Sequence, residues 1–241
     1  MSLGRLHIVG VGPGDPELLT VKAARVIGHA CVVAFFSRHG RVGHARTIAD
    51  QFISSTAQEL RFVYPFTTER SVNDPSYHED MSDFYDDCAE KIRHEVHKGQ
   101  NVVLLCEGDP FLYGSAMYIF DRLHISIECE IVPGITAMSG CWSEASLPIT
   151  HGDDVLCVLP ATMEEDDLAD WLCRADAAVI MKLGRNMPKL RKALERAGRL
   201  DKALYVERGT QHNSKVMRLV DVEGNVPYFS LVLLSGRQNI R

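Results

Sequence analysis

The chain has 241 residues, 46% of them hydrophobic and 24% charged, with a formal net charge of -6. That length supplies one large domain or two of about 120 residues, either able to bury a core, and the acidic balance gives no footing for a nucleic-acid surface. No apolar run is long enough to span a bilayer and the N-terminus lacks a signal-peptide pattern, so the cytoplasm is the expected location and no membrane partner is expected.

In chain order, Leu6 to Val11 is short, apolar and β-branched, as a buried strand of a parallel sheet should be, and Gly10, Gly12 and Gly14 permit a tight turn after it. The turn is not a dinucleotide fingerprint. Gly-x-Gly-x-x-Gly needs a glycine where the chain has Asp15, and Pro13 and Pro16 interrupt the turn. A carboxylate there repels a pyrophosphate, and Ser37, Arg38 and His39 follow the second strand where an acid should hold a ribose. A plain βα turn accounts for the same glycines. Pro16 to Gly28 reads as a helix and Cys31 to Phe36 as the second strand. Ser37 to Arg46 then carries Arg38, His39, Arg41, His44 and Arg46 without an acid. At the carboxyl end of a parallel strand, such a block is either a solvated loop or the receiving edge for a polyanion.

Thr47 to Ser54 reads as a helix, Glu59 to Tyr64 as a strand, and Pro65 to Tyr77 as a loop long enough to serve as a lid. From His78 to Lys98, Met81, Phe84, Tyr85, Cys88, Ile92 and Val96 recur at helical spacing, with acids towards the amino end and bases towards the other. His94 and His97 on that helix have metal-compatible spacing but no supporting ligand set, and no metal is expected. The seven cysteines are odd in number and never in Cys-x-x-Cys spacing, which points to reduced thiols in the core rather than a disulfide frame or a structural zinc.

Two more glycine-proline turns follow strands. Asn101 to Cys106 runs into Glu107-Gly108-Asp109-Pro110-Phe111-Leu112-Tyr113-Gly114 and a helix from Ser115 to Leu123. Glu128 to Val132 runs into Pro133-Gly134-Ile135-Thr136-Ala137 and a helix through Ala145. Two such turns this close in sequence can face one pocket. Beyond them Asp154 to Leu159 and Ala177 to Met181 read as strands, Met163 to Cys173 as an acidic helix, and Leu183 to Pro188 as a loop opening the helix Lys189 to Ala197. Ala203 to Glu207 is a further strand, with Lys215 to Asp221 and Phe229 to Ser235 as antiparallel partners. The expected fold is α/β, with two αβα lobes: residues 1–124 around a mostly parallel sheet and residues 125–241 around a mixed one.

Val9-Gly10-Val11-Gly12-Pro13-Gly14-Asp15-Pro16-Glu17-Leu18-Leu19-Thr20, Gly108-Asp109-Pro110, Val132-Pro133-Gly134-Ile135-Thr136 and Leu147-Pro148-Ile149-Thr150 resemble, in this order, the motifs of the tetrapyrrole methylase family. These are S-adenosylmethionine-dependent enzymes of cobalamin and sirohaem synthesis, and the resemblance runs essentially end to end. Within the family, Tyr64-Pro65-Phe66-Thr67, Asp109-Pro110-Phe111-Leu112-Tyr113 with Tyr118, Val179 to Asn186, and Tyr205 to Thr210 are similar to the branch that methylates C-20 of precorrin-2. The branch acting on uroporphyrinogen III shares the core motifs but usually has glycine in place of Glu107 and arginine in place of Ser115. Gly114, where serine is common, departs from the C-20 branch as well. Metal-free and cobalt-containing precorrin-2 both stay open as the substrate.

The resemblance implies a homodimer whose C-terminal lobe binds the methyl donor, S-adenosylmethionine, in a cleft with the N-terminal lobe on the substrate side. It puts donor contacts at Pro13, Glu107, Gly108, Asp109, Leu112, Thr136 and Ala137, and at Leu183, Gly209 and Leu231, with Leu183 and Leu231 flanking the adenine. The residue types agree: backbone amides opening a helix at Thr136 and Ala137 suit the donor's carboxylate, and Asp109 can accept from its ammonium or ribose hydroxyls. The tetrapyrrole is a polycarboxylate, so Arg38, Arg41 and Arg46 with His39 are expected to receive it, under the Pro65 to Tyr77 loop as a cover. Asp15 has two readings. It orients the macrocycle or takes the proton from the methylated carbon, or it caps the helix beginning at Pro16.

Overall fold

A computed structural model describes residues 3–66 and 74–236. Most of the expected loop from Pro65 to Tyr77 lies outside the described residues. The chain divides into two compact units, Met1–Thr136 and Ala137–Arg241.

The first unit runs β1 (Leu6–Gly10), α1 (Val21–Gly28), β2 (Val32–Ser37), α2 (His44–Ala49), β3 (Gln58–Val63), α3 (Pro75–His97), β4 (Val102–Cys106), α4 (Ala116–Leu123) and β5 (Cys129–Val132). Its sheet has the order β3-β2-β4-β1-β5, and every pairing is parallel. Leu6, Ile8, Val32, Ala34, Val102 and Leu104 pack on one face against α3 and α4, while Val9, Val33, Val103, Leu105 and Val132 pack on the other with α1 and α2. A sheet covered on both faces demands near-continuous apolar strands, which is why β2 and β4 stand out in the sequence. The division falls after Thr136 rather than at 124/125. The cause is β5, which pairs with β1 from Leu6↔Cys129 to Val9↔Val132 and so belongs to the first sheet.

Some helix boundaries differ from those expected. Pro16–Leu18 is a separate 3-10 turn, and Leu19 and Thr20 are extended. The Ala23 N–H donates to Thr20 Oγ1 at 3.0 Å, so a second capping residue restarts the chain as α1. Helix α3 begins at Pro75, capped by Asp74, so its first turn takes residues expected in the loop. Helix α2 begins at His44 and gives way to a 3-10 turn at Asp50–Phe52.

The second unit contains α5 (Ala137–Glu144), β6 (Leu156–Pro160), α6 (Glu165–Arg174), β7 (Ala177–Met181), α7 (Met187–Arg196), β8 (Leu204–Glu207), β9 (Lys215–Arg218) and β10 (Ser230–Leu234). Its sheet is mixed, in the order β6-β7-β10-β8-β9, with β6 and β7 parallel and the other pairs antiparallel. Strands β9 and β10 flank β8 instead of pairing with each other. One face packs with α6 and α7, the other with α5. Arg199 is buried and donates to the carbonyls of Leu172, Ala175 and Asp176, closing the end of α6 that has no intrahelical partners.

All seven cysteines are free thiols. Cys88, Cys106 and Cys141 are buried, but Cys31 and Cys173 are exposed, so the expectation of core thiols holds only in part. His94 and His97 occupy the last turn of α3. Among the described residues no group of three or more His, Cys, Asp or Glu is placed to hold a metal ion, and no helix is long and apolar enough to cross a membrane.

Candidate active site

The three glycine turns follow β1, β4 and β5, which are neighbours in the first sheet, so all three emerge at its carboxyl edge. They are bound into one unit. The Gly108 N–H donates to the Gly12 carbonyl at 2.8 Å, and the Gly12 N–H returns a bond to the Gly108 carbonyl at 3.3 Å. Gly12 and Gly108 both have positive φ, at 79° and 63°, which glycine adopts without strain. Gly134 closes the group: a Cβ there would overlap the Gly108 carbonyl, and one at Gly10 would lie 2.6 Å from the same oxygen. Glycine at 10 and 134 is therefore a requirement of backbone contact between turns.

Asp109 fastens the same turns. Its Oδ1 accepts from the Phe111 N–H at 2.9 Å and its Oδ2 from the Gly134 N–H at 3.1 Å. Pro13, Asp109, Leu112 and Thr136 are half-buried around this clasp and Glu107 is exposed. Asp15 accepts from the Glu17 N–H at 2.9 Å and caps the 3-10 turn, so its capping reading is realised.

Glu107 stands between the second turn and the basic loop that follows β2. Desolvation raises its carboxyl to about 7, against the backbone hydrogen bond from Ala45, in the first turn of α2, and the charge of Arg38. The residue as a whole is nonetheless exposed, so protein crowds the carboxyl while part of the side chain meets solvent.

Arg38, His39 and Arg41 are exposed on that loop, and Arg61 of β3 gives the loop its shape. Arg61 donates to Ser37 Oγ at 2.8 Å and to the carbonyls of Arg38 at 3.2 Å and Arg41 at 2.6 Å. Arg61 does not stand out in the sequence, because an arginine on an edge strand carries no local signal of its tertiary partners. Arg46 is placed differently from Arg38 and Arg41. Its guanidinium donates to Glu59 at 2.8 Å and 3.1 Å and to Asp50.

Tyr64, stacked on Phe36, donates from its hydroxyl to Ser115 Oγ at 2.7 Å. Tyr85 stacks on Tyr118, and burial pushes its phenol to about 12. These aromatics place a hydrogen-bonded cluster beside the start of α4, where arginine at 115 would offer no acceptor for the Tyr64 hydroxyl.

In the second unit Ala137 is the first residue of α5, and its first turn offers backbone amides. Leu183 and Leu231 are buried in different cores, Leu183 with α6 and α7 and Leu231 with α5. The structure therefore does not bring these two side chains together to flank one adenine. Gly209 packs on α5, where a Cβ would come within 2.5 Å of Cys141 Sγ.

The fold and the clasped turns define a class, two-unit α/β proteins with ligand-type turns at the carboxyl edge of a parallel sheet. The family model of Tetrapyrrole (Corrin/Porphyrin) Methylases matches residues 5–220, and the chain belongs to that family. It is 49% identical, over 98% of its length and 97% of the relative's, to a precorrin-2 C(20)-methyltransferase of Sinorhizobium sp. It is 26% identical to the cobalt-precorrin-2 C(20)-methyltransferase of Salmonella typhimurium, over 96% of each chain. Among solved structures it is similar in fold to a cobalt precorrin-4 methyltransferase, with a TM-score of 0.71 at 22% identity over 96% of this chain and 94% of that one. A uroporphyrin-III C-methyltransferase from Thermus thermophilus, complexed with S-adenyl homocysteine, gives 0.65 at 24% identity over 97% and 98%.

Proposed function

We propose that the chain transfers a methyl group from S-adenosylmethionine to C-20 of precorrin-2, giving precorrin-3A. The observation that carries this reading is the 49% identity, end to end, with a precorrin-2 C(20)-methyltransferase. Glu107 and Ser115, which the uroporphyrinogen-III branch replaces, support it. The lower identity with the cobalt-precorrin-2 relative favours the metal-free substrate.

The donor supplies an electrophilic methyl on a sulfonium with a neutral leaving group. The chain's part is to hold and align. Pro13, Gly108, Asp109 and Leu112 form the wall against the donor, with Glu107 beside them. The opening amides of α5 at Ala137, following Thr136, take its carboxylate. Alignment of this kind supplies up to roughly 7–11 kcal/mol in favourable systems. Arg38 and Arg41, with His39, receive the substrate's carboxylates, and Arg46 supports α2 through Glu59 and Asp50. Asp15 shapes the first turn, and the working assembly is a cytoplasmic homodimer.

The test is the product. Incubation with precorrin-2, with and without cobalt, followed by mass spectrometry and NMR, should show one added methyl at C-20 of the metal-free macrocycle. Methylation of the cobalt complex alone, or of uroporphyrinogen III, would replace this reading. Light scattering of the purified chain should give twice the monomer mass; the monomer mass would remove the dimer.

A further inference from the structure

Three carboxylates stand near the clasped turns, and they are not equivalent. Asp109 has an amide on each oxygen and joins the second turn to the third. Asp15 caps the turn that opens at Pro16. Glu107 is exposed, at the end of β4, with the donor-side turn continuing from it at Gly108 and the basic loop facing it at Arg38. It stands where the proposed donor and acceptor regions of the first unit meet.

Replacement of hydrogen by methyl at a meso carbon requires a proton acceptor. The substrate carbon uses a pair of ring π electrons to bond the methyl, while the S–C pair stays on sulfur as a neutral thioether. The C–H bond at that carbon then breaks, its pair returning to the ring. We infer that Glu107 takes this proton, its carboxylate becoming a neutral carboxylic acid that later gives the proton to water. The charges balance, with one sulfonium and one carboxylate consumed. The inference rests on the proposed function and adds to it a group for which Asp15 was the other candidate.

The surroundings suit the task. A base near neutrality is ionised at working pH yet holds a proton firmly enough to drive its removal, and burial has moved Glu107 into that range. Arg38 faces it from the loop after β2 and the Ala45 amide faces it from α2, both favouring the carboxylate. Its strand neighbour Cys106 is a thiol pushed up to about 12, chiefly by burial and then by Glu107 itself, so it adds no competing charge near pH 7. Water reaches the residue, which gives the proton a way out.

The experiment is single-turnover methyl transfer at saturating donor and precorrin-2, from about pH 5.5 to about 9, with the full chain and its Glu107→Gln variant. Glutamine keeps an oxygen for the Ala45 amide but cannot act as the base. The wild-type rate should rise through an inflection near neutrality. With both ligands saturating, the variant should be at least ~100-fold slower and lack that inflection. A variant within about threefold of wild type, or one that keeps the inflection, overturns the assignment. Should the glutamine variant fail to fold, Glu107→Asp serves: a displaced inflection supports the base and an unmoved one removes it. If the wild type methylates another tetrapyrrole, the same comparison is read on that substrate, so the substrate assignment fails alone. A chain that methylates none removes both.

Discussion

At the scale of single residues, similar side chains in one basic stretch have different work. Arg46 is held by Glu59 and Asp50, whereas Arg38 and Arg41 are exposed on a loop whose carbonyls are held by Arg61. A charge-assisted hydrogen bond is worth about 1.5–3 kcal/mol, so each lost carboxylate contact should weaken substrate binding by roughly tenfold or more. Arg38→Ala combined with Arg41→Ala is expected to raise the KM for the tetrapyrrole by that order per contact, with the donor's Kd unchanged by calorimetry. Weaker donor binding would move the loop out of the substrate site.

At the scale of elements, the second turn and the helix after it are packed to the limit. A Cβ at Gly114 would lie 2.8 Å from Cys106 Sγ and 2.9 Å from the Pro110 carbonyl. This gives a local reason for glycine where the C-20 branch commonly has serine. Overpacking of this kind costs about 1–3 kcal/mol, and contacting positions couple. Gly114→Ala should lower urea stability by that amount, and in a Cys106→Ala background at least half the loss should vanish. Additive losses would show that Pro110 rather than Cys106 sets the limit.

The elements also show what a sequence can display. Strands buried on two faces are runs of apolar residues, so β2, β4 and β7 are legible almost to the residue. Helix starts are less so. Thr20 lies inside what reads as one helix, and its cap is visible only once the chain has turned at Leu19. The glycines at 10, 108 and 134 are legible as turns, but the reason for Gly10 and Gly134 is the close approach of their backbones to each other and to Gly108, which no local pattern shows. Arg61 and the separation of Leu183 from Leu231 depend on tertiary placement, and no local pattern encodes either.

At the scale of the whole molecule, stability should respond to acid through a site at the far end of the first sheet from the turns. Burial lowers the pKa of His7, partly against Glu130, whose Oε2 lies 2.9 Å from His7 Nδ1 without an aligned hydrogen bond. Glu130 is itself lowered, first by its bond to Lys22 and then by His7 among others. The folded chain thus resists protonating His7, so this contribution is intact above the ordinary value of 6.5 and is lost as pH falls towards the lowered pKa. Glu130 adds a loss of the same sign below 4.5. Glu107 acts in the opposite direction, its raised pKa favouring the fold as pH falls from about 7. A His7→Gln variant separates them: its Tm relative to wild type should rise between about pH 7.5 and about pH 5. A constant difference would show that His7 titrates alike in the folded and unfolded chain.

Arg61 reaches the basic loop through a serine hydroxyl and two main-chain carbonyls, and touches neither arginine side chain with these bonds. The form of the loop is thereby uncoupled from the letters written on it at 38, 39 and 41. If the loop receives the macrocycle as proposed, selectivity among differently substituted macrocycles changes by exchanging those three side chains on an unchanged frame, as type is exchanged in a fixed block.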